Sequence, residues 1–215
     1  MVRWTGLLLP PELMGTHVGS GEDHSTRRMH DLGFRAGTAF WGHLGVEWDL
    51  RGADATALTE LGAWISAHKR WRELLHRGRV VHADLSNPAL WLEGVIDTDG
   101  DTALYRLSAL DHTLTWPPGR VTLPGLDPDR RYQVQVLASG DRVGSGTVVP
   151  GWVRDGVTLT GRVLGEVGLQ APLLDADHLV VLLASAEHRL GRLLAQEGRQ
   201  VPVPVSYTHL TLPTN

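Results

Sequence analysis

The hydrophobic period of this chain changes once, at Gly78, and that change limits the possible folds more than any other feature. Before it, apolar residues recur every third or fourth position, as a buried helix face requires. After it, they fall in short runs, one of them a clean alternation, separated by turn residues, as strands require. The chain therefore reads as α/β up to residue 78 and all-β over about 79–186.

The first part begins with an apolar entry at Leu7, a Pro10-Pro11 turn that bars regular helix, and a short strand around Leu13 to Val18. Gly19, Gly21 and the polar residues up to Ser25 form a loop. Ser25 then reads as the N-cap of a helix whose stripe is Met29, Leu32, Ala36, Phe40 and Leu44. Gly33 and Gly37 lie on or beside that stripe. A helical glycine costs about 1 kcal/mol relative to alanine, so the pair predicts close packing against another element. Strand, glycine loop and helix make a βα unit. "HLGVEWDL", His43 to Leu50, reads as a second extended segment. Asp54 caps a second helix with the stripe Leu58, Leu61, Ile65, His68 and Leu75. Lys69, Arg70, Arg72 and Arg77 gather in its C-terminal half, where the helix dipole favours cations, and Gly78 ends it.

In the second part, "ALWLEGVID" and "TALYRLSAL" flank an Asp-Gly turn and predict a hairpin. "YQVQVLA" alternates cleanly; "GVTLTGRVL" and "HLVVLLAS" read as further strands. Short strands at this spacing predict an antiparallel β-sandwich. "EHRLGRLLAQEGRQ" carries a helical signal but has no assigned place.

Net charge is −4 and no basic patch stands out, so nucleic acid is not an expected partner. No apolar run approaches the roughly 20 residues of a membrane span. The absence of cysteine excludes a disulfide framework and thiolate metal sites and fits a cytoplasmic location. Basic residues number 20, of which only Lys69 is a lysine, the usage of a GC-rich gene. The closing "VSYTHLTLPTN", Val205 to Asn215, breaks that usage and reads as translated sequencing adaptor.

Each candidate chemistry has a plainer competitor. The glycine loop lacks both the G-x-x-x-x-G-K-[ST] pattern and a G-x-G-x-x-G within a complete βαβ unit, which disfavours a phosphate cradle. His17 and His24 flank a loop at a spacing that is not a metal-ligand spacing, so no metal is expected. "DTDGD", Asp97 to Asp101, resembles a calcium loop only superficially: the glycine comes too early and the closing glutamate is missing. Trp41, Trp48, Trp64, Trp71, Trp91, Trp116 and Trp152 could stack on sugars, but each is also a natural core residue. There is no nucleophile elbow.

"RWTGLLLPPELMGTHVG", "HSTRR" and "GFRAGTAFWGHLGVEWDL" resemble the closing part of the catalytic barrel of bacterial α-galactosidases of glycoside hydrolase family 36. "HADLSNPALWLEGVI", "LPGLDPDRRYQV" and "LTGRVLGEVGLQAPLL" resemble the C-terminal antiparallel β domain of that family. The resemblance implies the last βα segment of a (β/α)8 barrel in residues 1–78 and a C-terminal β-sandwich in 79–186, with 187–204 unassigned. It implies a retaining hydrolase that frees terminal α-linked galactose from melibiose, raffinose-type oligosaccharides and galactomannan. No metal or organic cofactor and no membrane partner are implied, and a homo-oligomer is common in the family.

In the family, an aspartate nucleophile sits in a Lys-x-Asp motif and an aspartate acid/base in a Ser-Asp-Asn motif. Neither motif occurs here, so both catalytic aspartates are expected upstream of Met1, and the chain alone is expected to be inactive. Active sites of (β/α)8 barrels lie at the C-terminal ends of the strands, which makes His17 and Gly19 candidates for the rim of the galactose pocket. A carbohydrate-binding β-sandwich module and a raffinose-family galactosyltransferase are the alternative readings. One strand and two helices cannot close a barrel, so the apolar stripes of residues 1–78 are expected to be exposed.

Overall fold

The computed structural model describes residues 2–24, 26–139 and 149–189. A short helix α1 (Val2–Gly6) and a 3-10 turn (Pro11–Leu13) lead into β1 (Gly15–Val18). Then come α2 (Leu32–Ala39), β2 (His43–Val46) and the 23-residue α3 (Ala55–Arg77). β3 (Arg79–Ala83), β4 (Leu90–Ile96), β5 (Thr102–Ala109), β6 (Arg120–Val121) and β7 (Arg131–Ser139) follow. The rest comprises α4 (Gly151–Asp155), β8 (Val157–Thr160), α5 (Gly161–Glu166), β9 (Leu169–Gln170) and β10 (His178–Ala186). β1 and β2 pair in parallel. The larger strands form one antiparallel sheet in the order β3-β4-β5-β10-β7-β8, and β6 pairs with β9. The fold is mixed α/β and rich in sheet.

Local chemistry sets the helix boundaries. Asp54 caps α3 by accepting from the Ala57 N–H at 2.7 Å, and Gly78 closes it. A side chain at Gly78 would run into Val95 and the carbonyls of Leu74 and Ile96, so only glycine fits the junction. The expected start of α2 at Ser25 is corrected. The helix begins at Leu32, where Asp31 accepts from the Phe34 N–H at 2.5 Å, and Ser25 itself lies outside the described residues. Met29 matches the helical spacing but is exposed and bridges Glu22 in extended backbone. "GVTLTGRVL" is also corrected: only its first half is strand. Thr160 accepts from the Val163 N–H at 3.3 Å and turns the second half into α5, so a cap overrides the β-propensity of the run.

Both faces of the large sheet are covered, which explains why β5 and most of β10 are buried at every position and lose their alternation. On one face, Leu92, Tyr105, Leu107, Val180 and Leu182 pack with Val121, Leu123, Leu164 and Leu169. Among the described residues, the expected sandwich has no second broad sheet on this side. The facing layer is the β6–β9 ribbon with α4, α5 and loops, because Pro117, Pro118, Pro124 and Pro128 interrupt the segment that would have to supply longer strands.

On the other face, Val95, Leu104, Leu179, Val181 and Leu183 pack with Leu32, Ala36, Phe40, Trp64, Trp71 and Leu75 of the helical part. The expected exposure of the stripes is therefore corrected for Leu32, Ala36, Phe40, Leu61 and Leu75, which lie in this core, while Met29 and Leu58 are exposed. Gly37 makes the close approach possible, because a Cβ there would overlap the Leu179 side chain. Exposed apolar residues remain at Trp4, Leu7, Leu8, Leu9 and Leu13.

His68 is buried on α3, and its Nδ1–H donates to the Phe40 carbonyl at 2.9 Å. Burial holds its pKa below the ordinary histidine value. The bond to Phe40 opposes this, while His76, Arg72 and His43 push it further down. The unfolded chain therefore takes up a proton at His68 before the folded chain does. Stability from this residue is complete above about pH 6.5 and declines as pH falls below it. Urea midpoints at pH 7.5 and 5.5 are expected to differ more for the wild-type chain than for His68→Gln.

Candidate functional site

In parallel α/β units, the loops beyond the carboxyl ends of the strands form the ligand-binding face. Here the exits of β1 and β2 lie at that end of the strand pair. His17 is exposed on β1 and stands opposite Gly45 in the register. A Cβ at Gly45 would overlap the imidazole, so glycine makes room for the ring. Gly19 is the first residue after β1. Its carbonyl accepts from Arg35 Nη1 at 2.5 Å, and no neighbour restricts the place where its Cβ would lie. The loop that follows is organised by its own polar groups. Asp23 accepts from the Thr26 N–H at 2.7 Å and from its hydroxyl at 2.9 Å, and Glu22 pairs with Arg27 at 3.0 Å. On the β2 side, Trp48 is half-buried with the Arg35 guanidinium 4.9 Å from its ring centroid.

The structure thus brings Gly19 together with Arg35 and Trp48. His24 stays exposed in the loop, and among the described residues no group of three His, Asp or Glu side chains is placed to hold a metal. Arg35 was missed by sequence reasoning. "FRAG" carries no signal for it, because its partners are brought to it by the fold.

The acidic turn is used in folding. Asp97 and Thr102 close the hairpin backbone at 2.8 Å, and Gly100 takes a positive φ of 73°. Asp101 pairs with Arg130 at 2.5 Å and with Arg189 at 3.1 Å, and Asp99 pairs with Arg189 at 2.5 Å. The tryptophans divide. Trp41, Trp64, Trp71 and Trp152 are core residues, Trp48 and Trp91 are half-buried, and Trp116 is exposed.

A further charged pair lies at the opposite ends of β1 and β2. Glu93 on β4 and Arg106 on β5 are cross-strand partners and form a buried ion pair. Arg106 also donates to the carbonyls of Thr38 at 3.0 Å and Gly37 at 3.3 Å near the end of α2. Beside them is a cavity of about 20 Å³, lined by Met14, Thr16, Trp41, Gly42, Glu93 and Val95. That is room for about one water. It does not include His17 or Gly19.

Comparison with known proteins follows the same two segments. The Melibiase family model matches residues 1–78, and the glycosyl hydrolase family 36 C-terminal domain model matches residues 91–183. An α-galactosidase of Escherichia coli is 32% identical over 189 residues, 84% of this chain and 26% of that protein. The α-galactosidase of Lactobacillus brevis shares the fold with a TM-score of 0.68 at 22% identity, over 82% of this chain and 23% of that one. A family 36 α-galactosidase of Geobacillus stearothermophilus, solved in complex with raffinose, gives 0.69 at 22% identity, over 85% and 23%. The chain spans about a quarter of the length of these relatives. With the two matches following one another in order over most of its length, the chain belongs to glycoside hydrolase family 36.

Proposed function

We propose that this chain serves as the closing βα part of the catalytic (β/α)8 barrel, with the adjoining C-terminal β domain, of an α-galactosidase. The observation that carries the reading is the pair of consecutive family matches on a chain whose first segment holds a parallel strand pair and its following helices. Two features support it. In a two-stranded sheet, each of β1 and β2 has an outer edge with no partner strand among the described residues. Trp4, Leu7, Leu8 and Leu13 also leave apolar surface for neighbours to cover.

The reaction is retaining hydrolysis of terminal α-linked galactose, with raffinose-type oligosaccharides as the substrate class. It needs two carboxyl groups roughly 5–5.5 Å apart across the scissile bond. This chain carries neither catalytic motif of the family, so both groups come from outside it. Its own contribution is the rim at the exits of β1 and β2, where His17 stands opposite Gly45 and Arg35 links Gly19 to Trp48.

The test is a hybrid in which residues 1–189 replace the corresponding stretch of the Escherichia coli α-galactosidase. The hybrid is expected to hydrolyse an aryl α-galactoside with retention, and the 215-residue chain alone to show no turnover above background. Turnover by the isolated chain, or a folded hybrid that ignores α-galactosides, defeats the reading.

A further inference from the structure

Arg35 lies on the first turns of α2, half-buried, and its guanidinium is used in three directions. Nη1 donates to the Gly19 carbonyl at 2.5 Å, at the exit of β1. Nε donates to the Asp31 carbonyl at 3.2 Å, at the start of its own helix. Its Cζ stands over the Trp48 ring, beyond the exit of β2, at 4.9 Å from the centroid. Asp31 and Glu60 supply the balancing negative charge.

The acceptor in the β1 loop is a backbone carbonyl, so the bond fixes the position of the loop whatever side chain it carries. The contact with Trp48 is a cation–π approach and holds an aromatic ring. The core beneath is filled by Leu32, Ala36 and Phe40, so a half-buried arginine is not needed to complete it. Desolvating a guanidinium costs free energy, and at this place the return is a fixed geometry between two loops at the carboxyl ends of parallel strands.

We infer that Arg35 is a positioning residue that ties the β1 and β2 exit loops into one unit and so sets the place of Trp48 and Gly19 at the sugar-binding rim. The coupling of the loops stands on the contacts alone, and the sugar depends on the α-galactosidase reading. Lysine in its place has one point-like donor group. It can reach the Gly19 carbonyl but cannot hold a flat guanidinium over the indole.

Amide hydrogen exchange on the 215-residue chain separates these contacts. Arg35→Met is expected to speed exchange at least about tenfold in residues 19–24 and 46–49, the size of one lost charge-assisted bond, with β4, β5 and β10 unchanged. Arg35→Lys is expected to keep the first loop slow and release only the second. No change in either loop, or acceleration through α2 and the sheet together, overturns the coupling.

In the hybrid enzyme, Arg35→Met is expected to raise KM for an aryl α-galactoside about tenfold while kcat stays within about threefold, with Arg35→Lys between the two. An unmoved KM overturns the assignment of the rim to sugar binding. A wild-type hybrid with no α-galactosidase activity instead counts against the functional reading, and the exchange pattern still decides the coupling.

Discussion

Replacing Glu93 with alanine is expected to cost about 3–5 kcal/mol, a large share of the stability of a chain this size. The substitution leaves the Arg106 guanidinium buried between the sheet and the helices without its anion. Arginine does not escape by losing its proton, whose pKa is too high even where burial lowers it, as it does here. The carbonyls of Gly37 and Thr38 remain as acceptors, but they supply partial charge only. The double replacement Glu93→Leu with Arg106→Met is expected to recover most of the loss, since two well-packed apolar groups need no counter-charge. Urea denaturation of the single and double variants checks this. A Glu93→Ala loss below about 1 kcal/mol would mean that water reaches the pair.

The second large effect is expected at Trp64. It is fully buried on α3, packs edge-on against Phe40 at 5.9 Å and 71°, and directs its indole N–H to Glu60 at 3.4 Å. Trp64→Ala removes a fully buried indole from the helical layer and is expected to cost about 3–5 kcal/mol. Trp116→Ala is the control, because the residue is 63% exposed and its loss is expected to stay within about 0.5 kcal/mol. Thermal melts of the two variants, followed by circular dichroism, give the comparison. Equal shifts would mean that α3 does not depend on its docking face.

What could be read from the sequence was what short-range chemistry decides. Asp54 and Gly78 bound α3 because a capping carboxylate and a glycine junction act within a few residues. The Asp-Gly turn placed the β4–β5 hairpin for the same reason. Errors arose where two local signals competed. Met29 kept the helical period, yet Asp31 captured the free N–H of Phe34 and set the start there. Thr160 interrupted a run that β-propensity alone would have continued.

Glu93 and Arg106 were within reach, since each is a charge inside an apolar strand and the hairpin register sets them opposite each other. The rim was harder. His17 and Gly19 came from a family resemblance, and no local pattern announced Arg35. Its contacts with Gly19 and Trp48 exist only once α2 has docked beside the strand pair.

The close packing of α2 and α3 on the sheet has an evolutionary consequence. Val95, Leu104, Leu179 and Val181 share one core with Phe40, Trp64 and Leu75, across the junction between the segments matched by the two family models. A recombination event at Gly78 would bring together halves that never shaped one another, with Gly37 and Leu179 on opposite sides of the crossover. Such exchanges between distant relatives are expected to be purged, and the two segments to be inherited and to diverge as a single unit.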